Sequence, residues 1–405
     1  MFKLPPLIAS LTRHKLTALL LALQVGLTCA IVCNVAFMIV HRVAQLRLPS
    51  GVAEDELVMI ENTDLKEQTQ ALTRHNADVA ALRQIPGVKT AVAVDSLPFS
   101  HMDWRNGISL VPDAPARAIA SAYNGTPGEL ATLGLHLVEG RDFLDSEYLP
   151  VGSGQDWNGL DRISVAIVTR ALADKLFPGQ DPLGKVIYPS EKPVRIVGVV
   201  DHLLQPRLSD DGENEFATLL PMLPDSNGIT YVLRTAPQDR ERVLKQAADA
   251  LNRLDGDRIL RYPQTFTQLR SDYFRHDRTM IGLLIAAATC LLFVTALGIA
   301  GLASFWVQQR RRSIGIRRAV GASRHDILRY FQTENFLIVT AGVLPGCLLA
   351  YALNLVLMAH YELPRLPALY LLAGALASWL LGQLAVVGPA LRAAAVQPVV
   401  AVRNA

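Results

Sequence analysis

The sequence predicts an integral membrane protein with four transmembrane helices and a large α/β (α+β) extracytoplasmic domain of two lobes. The 405-residue chain is 51% hydrophobic and only 19% charged, with a mean hydropathy of +0.26. Four charge-free runs carry this excess, and each is longer than the roughly 20 residues that a helix needs to cross a bilayer. These runs are Leu16–Val40, Met280–Val307, Phe336–Ala359 and Leu366–Leu391. A long polar segment with alternating strand-like and helix-like patterns separates the first run from the second.

The distribution of charge predicts the orientation of the chain. Residues 41–278 carry 26 Lys and Arg against 33 Asp and Glu, whereas the rest of the chain carries 13 against 3. Apart from Arg365, the basic residues outside the polar segment lie before the first run, between the second and third, and after the fourth. By the positive-inside rule, both termini and the loop between the second and third runs are cytoplasmic. Because these arginines flank membrane spans, the pattern argues against a nucleic-acid-binding protein.

This orientation divides the chain into predicted segments. Residues 1–15 form a cytoplasmic N-terminus, and residues 16–40 form the first transmembrane helix, which is too long for the apolar region of a cleaved signal peptide. Residues 41–279 form an extracytoplasmic domain, with stalk helices at 41–50 and 264–279 and two α/β lobes between them. The remaining segments are transmembrane helix 2 (280–307), an arginine-rich cytoplasmic segment (308–335), transmembrane helix 3 (336–359), a short extracytoplasmic loop (360–365), transmembrane helix 4 (366–391) and a cytoplasmic C-terminus (392–405).

Hydrophobic periodicity predicts the elements of the polar segment. Predicted strands include Glu56–Glu61, Lys89–Asp95, Gly107–Val111, Arg162–Val168, Val194–Asp201, Ala217–Pro221 and Ile229–Arg234. Predicted helices include Asn76–Gln84, Thr169–Leu176 and Asp239–Leu254. The polar stretch Gln264–Asp277 is predicted to be helical and to lead into the second span.

The cytoplasmic loop Gln308–Asn335 holds seven arginines against two acids. Gly321 is placed to end one helix, and Ser323 with Asp326 fits a capping box that begins the next. The loop also exposes apolar side chains at the membrane edge, namely Ile314, Ile316 and Val320. If the arginines served only to set topology and bind anionic headgroups, the Gly-Ala-Ser break and these apolar residues would have no role. The pattern therefore predicts a docking surface for a cytoplasmic protein.

This loop resembles the coupling segment of MacB/FtsX-type ABC transporter permeases, whose pattern runs Glu-Ile-Gly-Ile-Arg-Arg-Ala-x-Gly-Ala. Residues Ile314 to Ala322 match it, and Ser313 stands where the family has the acid. The resemblance continues through Glu334 and to the C-terminus. It also covers pieces of the polar segment, namely Ile85–Val88, Gly140–Phe143, Val165–Val168, Leu176–Gly179, Asp181–Lys185 and Ile196–Asp201.

The resemblance implies a permease subunit in the bacterial inner membrane that converts ATP hydrolysis into periplasmic movement. It implies efflux of antibiotics, peptides or lipopeptides. The alternatives left open are lipoprotein release from the inner membrane and a non-transporting signal transmitter that activates a periplasmic enzyme. The expected ATPase-coupling residues are Ile314, Gly315, Ile316, Arg317, Arg318, Ala319, Gly321 and Ser323.

The expected partners follow from the same resemblance. The protein partners are two copies of a cytoplasmic ABC ATPase, a second permease chain that is identical or paralogous, and a periplasmic adaptor with an outer-membrane channel. The chain itself is expected to contact the lipid bilayer. Glycines at helical spacing are expected to pack helices closely, either within the chain or against the second permease chain. They are Gly342 and Gly346 in the third span, and Gly374 and Gly382 in the fourth.

Several kinds of site have no pattern in the sequence. There is no G-x-x-x-x-G-K-[ST] motif, so we expect no enzymatic activity and expect ATP and Mg²⁺ to be bound by the partner ATPase. The spans contain almost no ionisable side chains, which argues against an ion-coupled transporter. The pairs His101/Asp103 and Asp201/His202 lack metal-ligand spacing and are interpreted as ordinary loop residues, so no metal site is expected.

Overall fold

The computed structural model describes residues 15–64, 71–100, 102–150, 157–224, 228–361 and 365–395. The chain divides into a helix unit, with described residues 15–47 and 277–395, and a sheet domain, with described residues between 48 and 276. Most of the predicted N-terminal segment, the end of the C-terminal segment and the centre of the loop at 360–365 lie outside the described residues.

The helices and strands follow in chain order. The α-helices are α1 (Lys15–Leu46), α2 (Ala71–Arg83), α3 (Glu129–Leu133), α4 (Arg170–Leu176), α5 (Arg240–Leu254), α6 (Phe266–Tyr273), α7 (Arg275–Gln309), α8 (Arg311–Ala319), α9 (Arg324–Tyr361) and α10 (Ala368–Ala394). The strands are β1 (Leu57–Asp64), β2 (Val88–Val94), β3 (Trp104–Ile108), β4 (Ala118–Asn124), β5 (Leu137–Gly140), β6 (Leu149–Pro150), β7 (Val165–Thr169), β8 (Val186–Ile187), β9 (Val194–Val200), β10 (Ala217–Leu220), β11 (Met222–Leu223), β12 (Gly228–Thr235) and β13 (Arg258–Thr265).

In the helix unit, α1, α7, α9 and α10 are each long and apolar enough to cross a membrane. Helix α9 packs along both α1 and α10, and a shared apolar core joins the helices. Hydrogen bonds between uncharged polar groups join the helices inside this core. The Asn34 amide donates to the Ala350 carbonyl over 3.0 Å, and the Thr28 and Thr295 hydroxyls lie 2.8 Å apart. The helices are therefore held by close packing and by hydrogen bonds between uncharged groups.

The first sheet of the sheet domain has the order β13-β1-β12-β2, with every neighbouring pair antiparallel. Helices α2 and α5 pack on it and contribute Leu82 and Val243 to a core around Tyr231. The chain order is β1, α2, β2 and then β12, α5, β13. This order is the split βαβ arrangement of ferredoxin-like folds. The chain leaves this sheet after β2 and returns at β12, so the residues between these strands build the second sheet.

The second sheet is mixed, with the order β3-β4-β10-β7-β9-β5 and with β8 paired to β9. Strands β4 and β10 are parallel, as are β7 and β9, and α4 covers the apolar core. A separate pair, β6 and β11, is also parallel. Four membrane-length helices and a mixed α/β domain confirm the predicted fold class.

Local differences from the prediction have local causes. The strand expected at Gly107–Val111 is β3, which begins three residues earlier. The stretch expected to be wholly helical from Gln264 first completes β13, because Thr265 caps α6: its hydroxyl accepts the Gln268 N–H over 3.2 Å. A further break at Phe274 separates α6 from α7.

The first sheet carries a buried charged network. The Asp78 and Arg258 side chains form an ion pair at 2.8 Å, and each is only 1% exposed. The Tyr231 hydroxyl donates to Asp78 over 2.5 Å and lies 3.0 Å from Nδ1 of His75. Each of the two charges therefore has a partner of opposite sign, which offsets part of the cost of burying it.

Two further acids, Asp95 and Glu129, lie where the two sheets join. The Asp95 N–H donates to the Asn124 carbonyl over 3.1 Å, and the Asn124 amide donates to Asp95 Oδ2 over 2.6 Å. Glu129, at the start of α3, is 2% exposed, and a Cβ added to Gly125 would lie 2.7 Å from its Oε2. Burial and, to a smaller extent, the nearby carboxylates of Asp95 and Asp142 together raise the pKa of Glu129 to about 8.

Candidate coupling segment

The coupling segment, residues 308–335, comprises the end of α7, all of α8 and the first turns of α9. Arg310 alone separates α7 from α8, and its φ of −100° and ψ of 11° interrupt the helical run. The segment is therefore not an extended loop but a short helix held between two long ones.

A left-handed glycine ends α8. Gly321 has φ of +106°, which few residues other than glycine adopt without strain. Its N–H donates to the Arg318 carbonyl over 3.2 Å, and the Ala322 N–H donates to the Arg317 carbonyl over 3.0 Å. These bonds satisfy carbonyls that the end of the helix would otherwise leave free.

The predicted capping box at the start of α9 is confirmed. The Ser323 hydroxyl accepts the Asp326 N–H over 3.1 Å, and the Asp326 carboxylate accepts the Ser323 N–H over 3.0 Å. Two backbone donors at the helix start are thus satisfied reciprocally. Together with Gly321, this box fixes a sharp turn between α8 and α9.

The structure sorts the predicted coupling residues onto two faces of α8. Ile314 and Gly315 are buried, so the predicted exposure of Ile314 is wrong: its side chain packs into the core of the helix unit. Ile316 is 49% exposed and Val320, just beyond the helix, is 84% exposed. The other predicted residues on the solvent side are Arg317, Ala319, Gly321 and Ser323, whereas Arg318 is half-buried.

Several arginines of the segment bind within the chain itself. Arg318 Nη1 donates to the Ala394 carbonyl over 2.9 Å, at the last residue of α10. The Arg317 guanidinium lies 5.0 Å from the centre of the Tyr330 ring, a cation–π contact. Arg310 Nη1 lies 2.9 Å from both carboxylate oxygens of Glu334. Sequence reasoning gave Arg310 no role and missed this ion pair. The signal that could have indicated it is Glu334, an acid placed where the basic loop enters an apolar run.

The exposed surface of the segment therefore combines apolar and basic side chains. Ile316 and Val320 supply the apolar part. The exposed arginines of the segment are Arg311, Arg312, Arg317, Arg324 and Arg329. Such a surface fits a partner groove that combines an apolar pocket with acidic residues.

The four predicted packing glycines lie at contacts between helices of the same chain. A Cβ on Gly342 would lie 2.4 Å from the Ala22 carbonyl oxygen, and one on Gly346 would lie 2.6 Å from the Gly26 carbonyl oxygen. A Cβ on Gly374 would meet the sulfur of Cys33 at 2.1 Å, and one on Gly382 would meet a methyl carbon of Val339 at 2.7 Å. Each distance is too short for a side chain, so glycine permits the close approach.

The described residues contain no group of three or more His, Cys, Asp or Glu side chains that could hold a metal ion. His101, one of the residues considered from the sequence, lies outside them. His202 Nδ1 lies 3.0 Å from Glu215, and this hydrogen bond raises the pKa of the imidazole.

Two family models match the chain. The model of the MacB-like periplasmic core domain matches residues 21–251, which is more than half of the chain. The model of the FtsX-like permease C-terminal region matches residues 285–398, which include α8 and its neighbours. The chain belongs to the MacB/FtsX-like family of ABC transporter permeases. The predicted resemblance is confirmed.

Individual relatives cover different shares of their own length. A macrolide export ATP-binding/permease protein, MacB of Shewanella sp. (strain W3-18-1), is 26% identical over 288 residues, which are 66% of this chain and 42% of that protein. The uncharacterized ABC transporter permease YknZ of Bacillus subtilis (strain 168) is 26% identical over 335 residues, 80% of this chain and 78% of YknZ. The pyoverdine export protein PvdT of Pseudomonas syringae pv. tomato is 28% identical over 227 residues, 52% of this chain and 34% of PvdT. This chain thus spans less than half the length of MacB and PvdT.

Proposed function

We propose that this permease converts ATP hydrolysis by a separate cytoplasmic ABC ATPase into a conformational change of the sheet domain. The observation that carries the proposal is α8: a short helix with exposed Ile316 at its surface and exposed Val320 directly after it, in an arginine-rich loop whose charge predicts a cytoplasmic location. In this proposal two ATPase subunits serve two permease chains, which are identical or paralogous.

The helices offer a route for mechanical coupling. Helix α7 has 35 residues and α1 has 32, so each is a continuous rod of about 50 Å. Helix α7 leads along the chain from the end of the sheet domain to Arg310, directly before α8. A displacement of α8 by a closing ATPase dimer would therefore be passed to α7 without an intervening flexible loop. The scarcity of ionisable side chains in the spans supports this mode of coupling over one driven by ions.

The partner surface is proposed from chemistry alone. Because the segment exposes both arginines and apolar side chains, the ATPase is expected to offer a groove that combines apolar and acidic residues. ATP and Mg²⁺ would be bound by that subunit. The surface of α8 would supply contact energy at its apolar residues and orientation at its arginines.

The transported substrate is proposed by analogy with the relatives. MacB is described as a macrolide exporter and PvdT as a pyoverdine exporter. We therefore propose export of antibiotic, peptide or lipopeptide molecules handled by the sheet domain in the periplasm. The proposed location is the bacterial inner membrane with both termini cytoplasmic, and a periplasmic adaptor with an outer-membrane channel would complete the path.

Replacement of Val320 by Glu tests the docking surface. It places a negative charge in the apolar contact, and if Val320 is a hot spot worth about 2 kcal/mol or more, binding of the ATPase should fall about 30-fold or more. The measurement is the affinity of the purified full chain in nanodiscs for the ABC ATPase that copurifies with it. Val111→Glu is the matched control, because Val111 is a similarly exposed valine in the sheet domain.

Two results would contradict the proposal. One is a wild-type chain that retains no ABC ATPase, and the other is a Val320→Glu protein that binds the ATPase as tightly as wild type. A macrolide should also stimulate ATP hydrolysis by the reconstituted complex. Hydrolysis that no exported compound stimulates, together with altered activity of a periplasmic enzyme on deletion of the permease, would instead favour the signal transmitter.

A further inference from the structure

A buried ion pair holds the start of the coupling helix. Arg310 is the one residue between α7 and α8, and its Nη1 contacts both oxygens of the Glu334 carboxylate at 2.9 Å. Glu334 is only 1% exposed. Since the break between the two helices is a single residue, whatever fixes Arg310 also fixes where α8 begins and the direction in which it leaves α7.

The pair connects all the helices that surround the coupling segment. Glu334 belongs to α9, and the next residue, Asn335, donates its amide to the Gly382 carbonyl of α10 over 2.8 Å. At the other end of α8, Arg318 donates to the Ala394 carbonyl of α10. The short helix is thus tied at its start to α9 and at its end to α10.

A small cavity lies beside the Glu334 carboxylate. Residues from α1, α7, α9 and α10 line it, including Ile299, Trp306, Glu334 and Asn335. The Trp306 indole nitrogen is buried and has no hydrogen-bond acceptor among the described residues. A donor without an acceptor at the wall of a cavity that a carboxylate also lines is unusual, since buried polar groups are almost always paired.

We propose that Glu334 is a positioning residue for coupling, which holds α8 through Arg310 in one state and accepts the Trp306 N–H across the cavity in the other. This inference rests on the proposed function, because it assumes that an ATPase displaces α8. In the state described here the carboxylate is bound to Arg310. When α8 is pulled, Arg310 separates from Glu334, and the indole N–H supplies a replacement donor so that the buried carboxylate keeps a partner.

The physical cost of burying charge favours such a role over simple stabilisation. A buried ion pair gains little net stability because desolvation of both ions offsets their attraction. Its main effect is to specify one geometry. Here the specified geometry is that of the single-residue joint between α7 and α8, and the buried Trp306 N–H on the wall of the same cavity offers the carboxylate a second partner.

The test uses the full chain in nanodiscs, with and without its ATPase. The variants are Glu334→Gln, Arg310→Gln and the charge exchange Arg310→Glu with Glu334→Arg, and the matched control is Arg365→Gln, which removes an exposed arginine of the helix unit outside the coupling segment. Hydrogen exchange of residues 311–319 reports positioning, and macrolide-stimulated ATP hydrolysis reports coupling.

Both single variants should raise amide exchange in α8 at least tenfold while exchange in α10 stays at the wild-type level. They should reduce stimulated hydrolysis about tenfold while the affinity for the ATPase changes less than threefold. The charge exchange should restore a large part of both. Trp306→Phe should leave exchange of the resting α8 unchanged and still reduce stimulated hydrolysis, a result that a purely structural ion pair does not predict.

The inference is overturned if Glu334→Gln and Arg310→Gln both keep wild-type exchange in α8, or if Trp306→Phe couples as well as wild type. It is also overturned if exchange rises equally in α8 and α10, because that result means general loss of structure. Exchange of α8 is measured without the ATPase as well. Failure of the wild-type chain to bind any ATPase would therefore defeat the proposed function, while the positioning of α8 by Glu334 would still be decided separately.

Discussion

The helix unit and the sheet domain bury polar groups by different means. The sheet domain buries ionisable side chains in its interior: Asp78 forms an ion pair with Arg258, with both side chains 1% exposed, and the Glu129 carboxyl is enclosed where the two sheets join. In the helix unit, the polar contacts between helices in mid-span join uncharged groups, such as Thr28 with Thr295. Its buried carboxylate, Glu334, lies at the end of the bundle, beside the coupling segment.

The difference follows from the two solvents. Burial of apolar surface from water drives the sheet domain to fold, and this gain offsets the cost of enclosing a paired charge. Helices already inserted in lipid gain nothing comparable by leaving it, so they associate through close packing of small residues and through neutral hydrogen bonds. Charged side chains of the helix unit are therefore expected at positions that serve coupling rather than in the packed core between the helices.

The largest effect is expected from Asp78→Asn. The change leaves the Arg258 guanidinium buried without a counter-charge, and removal of one partner of a buried pair typically costs about 3–5 kcal/mol. The free energy of unfolding of the sheet domain should fall by that amount, measured by urea unfolding of the full chain in detergent. The control is Asp239→Asn, which breaks the half-exposed pair with Arg242 and should cost less than about 1 kcal/mol.

Equal losses of unfolding free energy from these two substitutions would contradict the comparison. The burial of an ion pair would then not determine how much stability is lost when the pair is broken. A double change of Asp78 and Arg258 to apolar residues of similar volume provides the complementary measurement. It should recover much of the lost stability, since it removes both charges from the core.

A smaller, pH-dependent effect is expected from Glu129. Its pKa of about 8 in the folded protein lies far above the value of about 4.3 in an unfolded chain. The folded state therefore retains a proton that the unfolded state releases between these values, so stability is full below about pH 4 and declines as pH rises through 8. The pKa of the partly exposed Asp95 is raised in the same direction, to about 7.

Glu129→Gln should remove the larger part of this pH dependence. Near pH 9 the variant should be more stable than wild type by an amount of order 3 kcal/mol, and near pH 5 the two should be nearly equal. Urea unfolding of both full-length proteins at each pH measures the difference, which cancels contributions common to both. Identical pH profiles for the two proteins would show that Glu129 does not titrate as a buried acid.

The sequence predicted much of the fold because the signals were long or repeated. Charge-free runs of helical length located the four spans, and Gly321 with Ser323 located the turn between α8 and α9 from local chemistry alone. Strand β4 escaped prediction because its sequence is rich in small residues, and its place between β3 and β10 is set by pairing rather than by propensity. Strand β13 escaped because it contains Pro263, which only an edge strand accommodates.

Some features of the coupling segment could likewise be predicted from the sequence and others could not. Exposure of Ile316 and Val320 could be anticipated from an apolar residue in a basic loop. The anchoring of Arg318 to the end of α10, and of Arg310 to Glu334, could not, because these partners lie 76 and 24 residues away in the chain. Such contacts depend on how helices pack, and no local pattern encodes them.

The smallest effect is expected from glycines of the helix unit, and it tests the other half of the comparison. Gly342→Ala places a methyl group 2.4 Å from the Ala22 carbonyl oxygen, so α1 and α9 must separate. The cost is expected to be about 1–3 kcal/mol, the usual range for overpacking. Gly301→Ala in α7 is the control, because a Cβ there meets nothing within 4 Å and alanine favours the helix.

The measurement is the thermal stability of the full chain in nanodiscs, together with its oligomeric state. Loss of stability in Gly342→Ala but not in Gly301→Ala would support small-residue packing within the chain as the force that holds the helix unit. A normally stable Gly342→Ala protein that no longer associates with a second permease chain would assign this glycine to the interface between chains. That second outcome would mean that α1 and α9 separate at little cost, so close packing would not be what distinguishes the helix unit from the sheet domain.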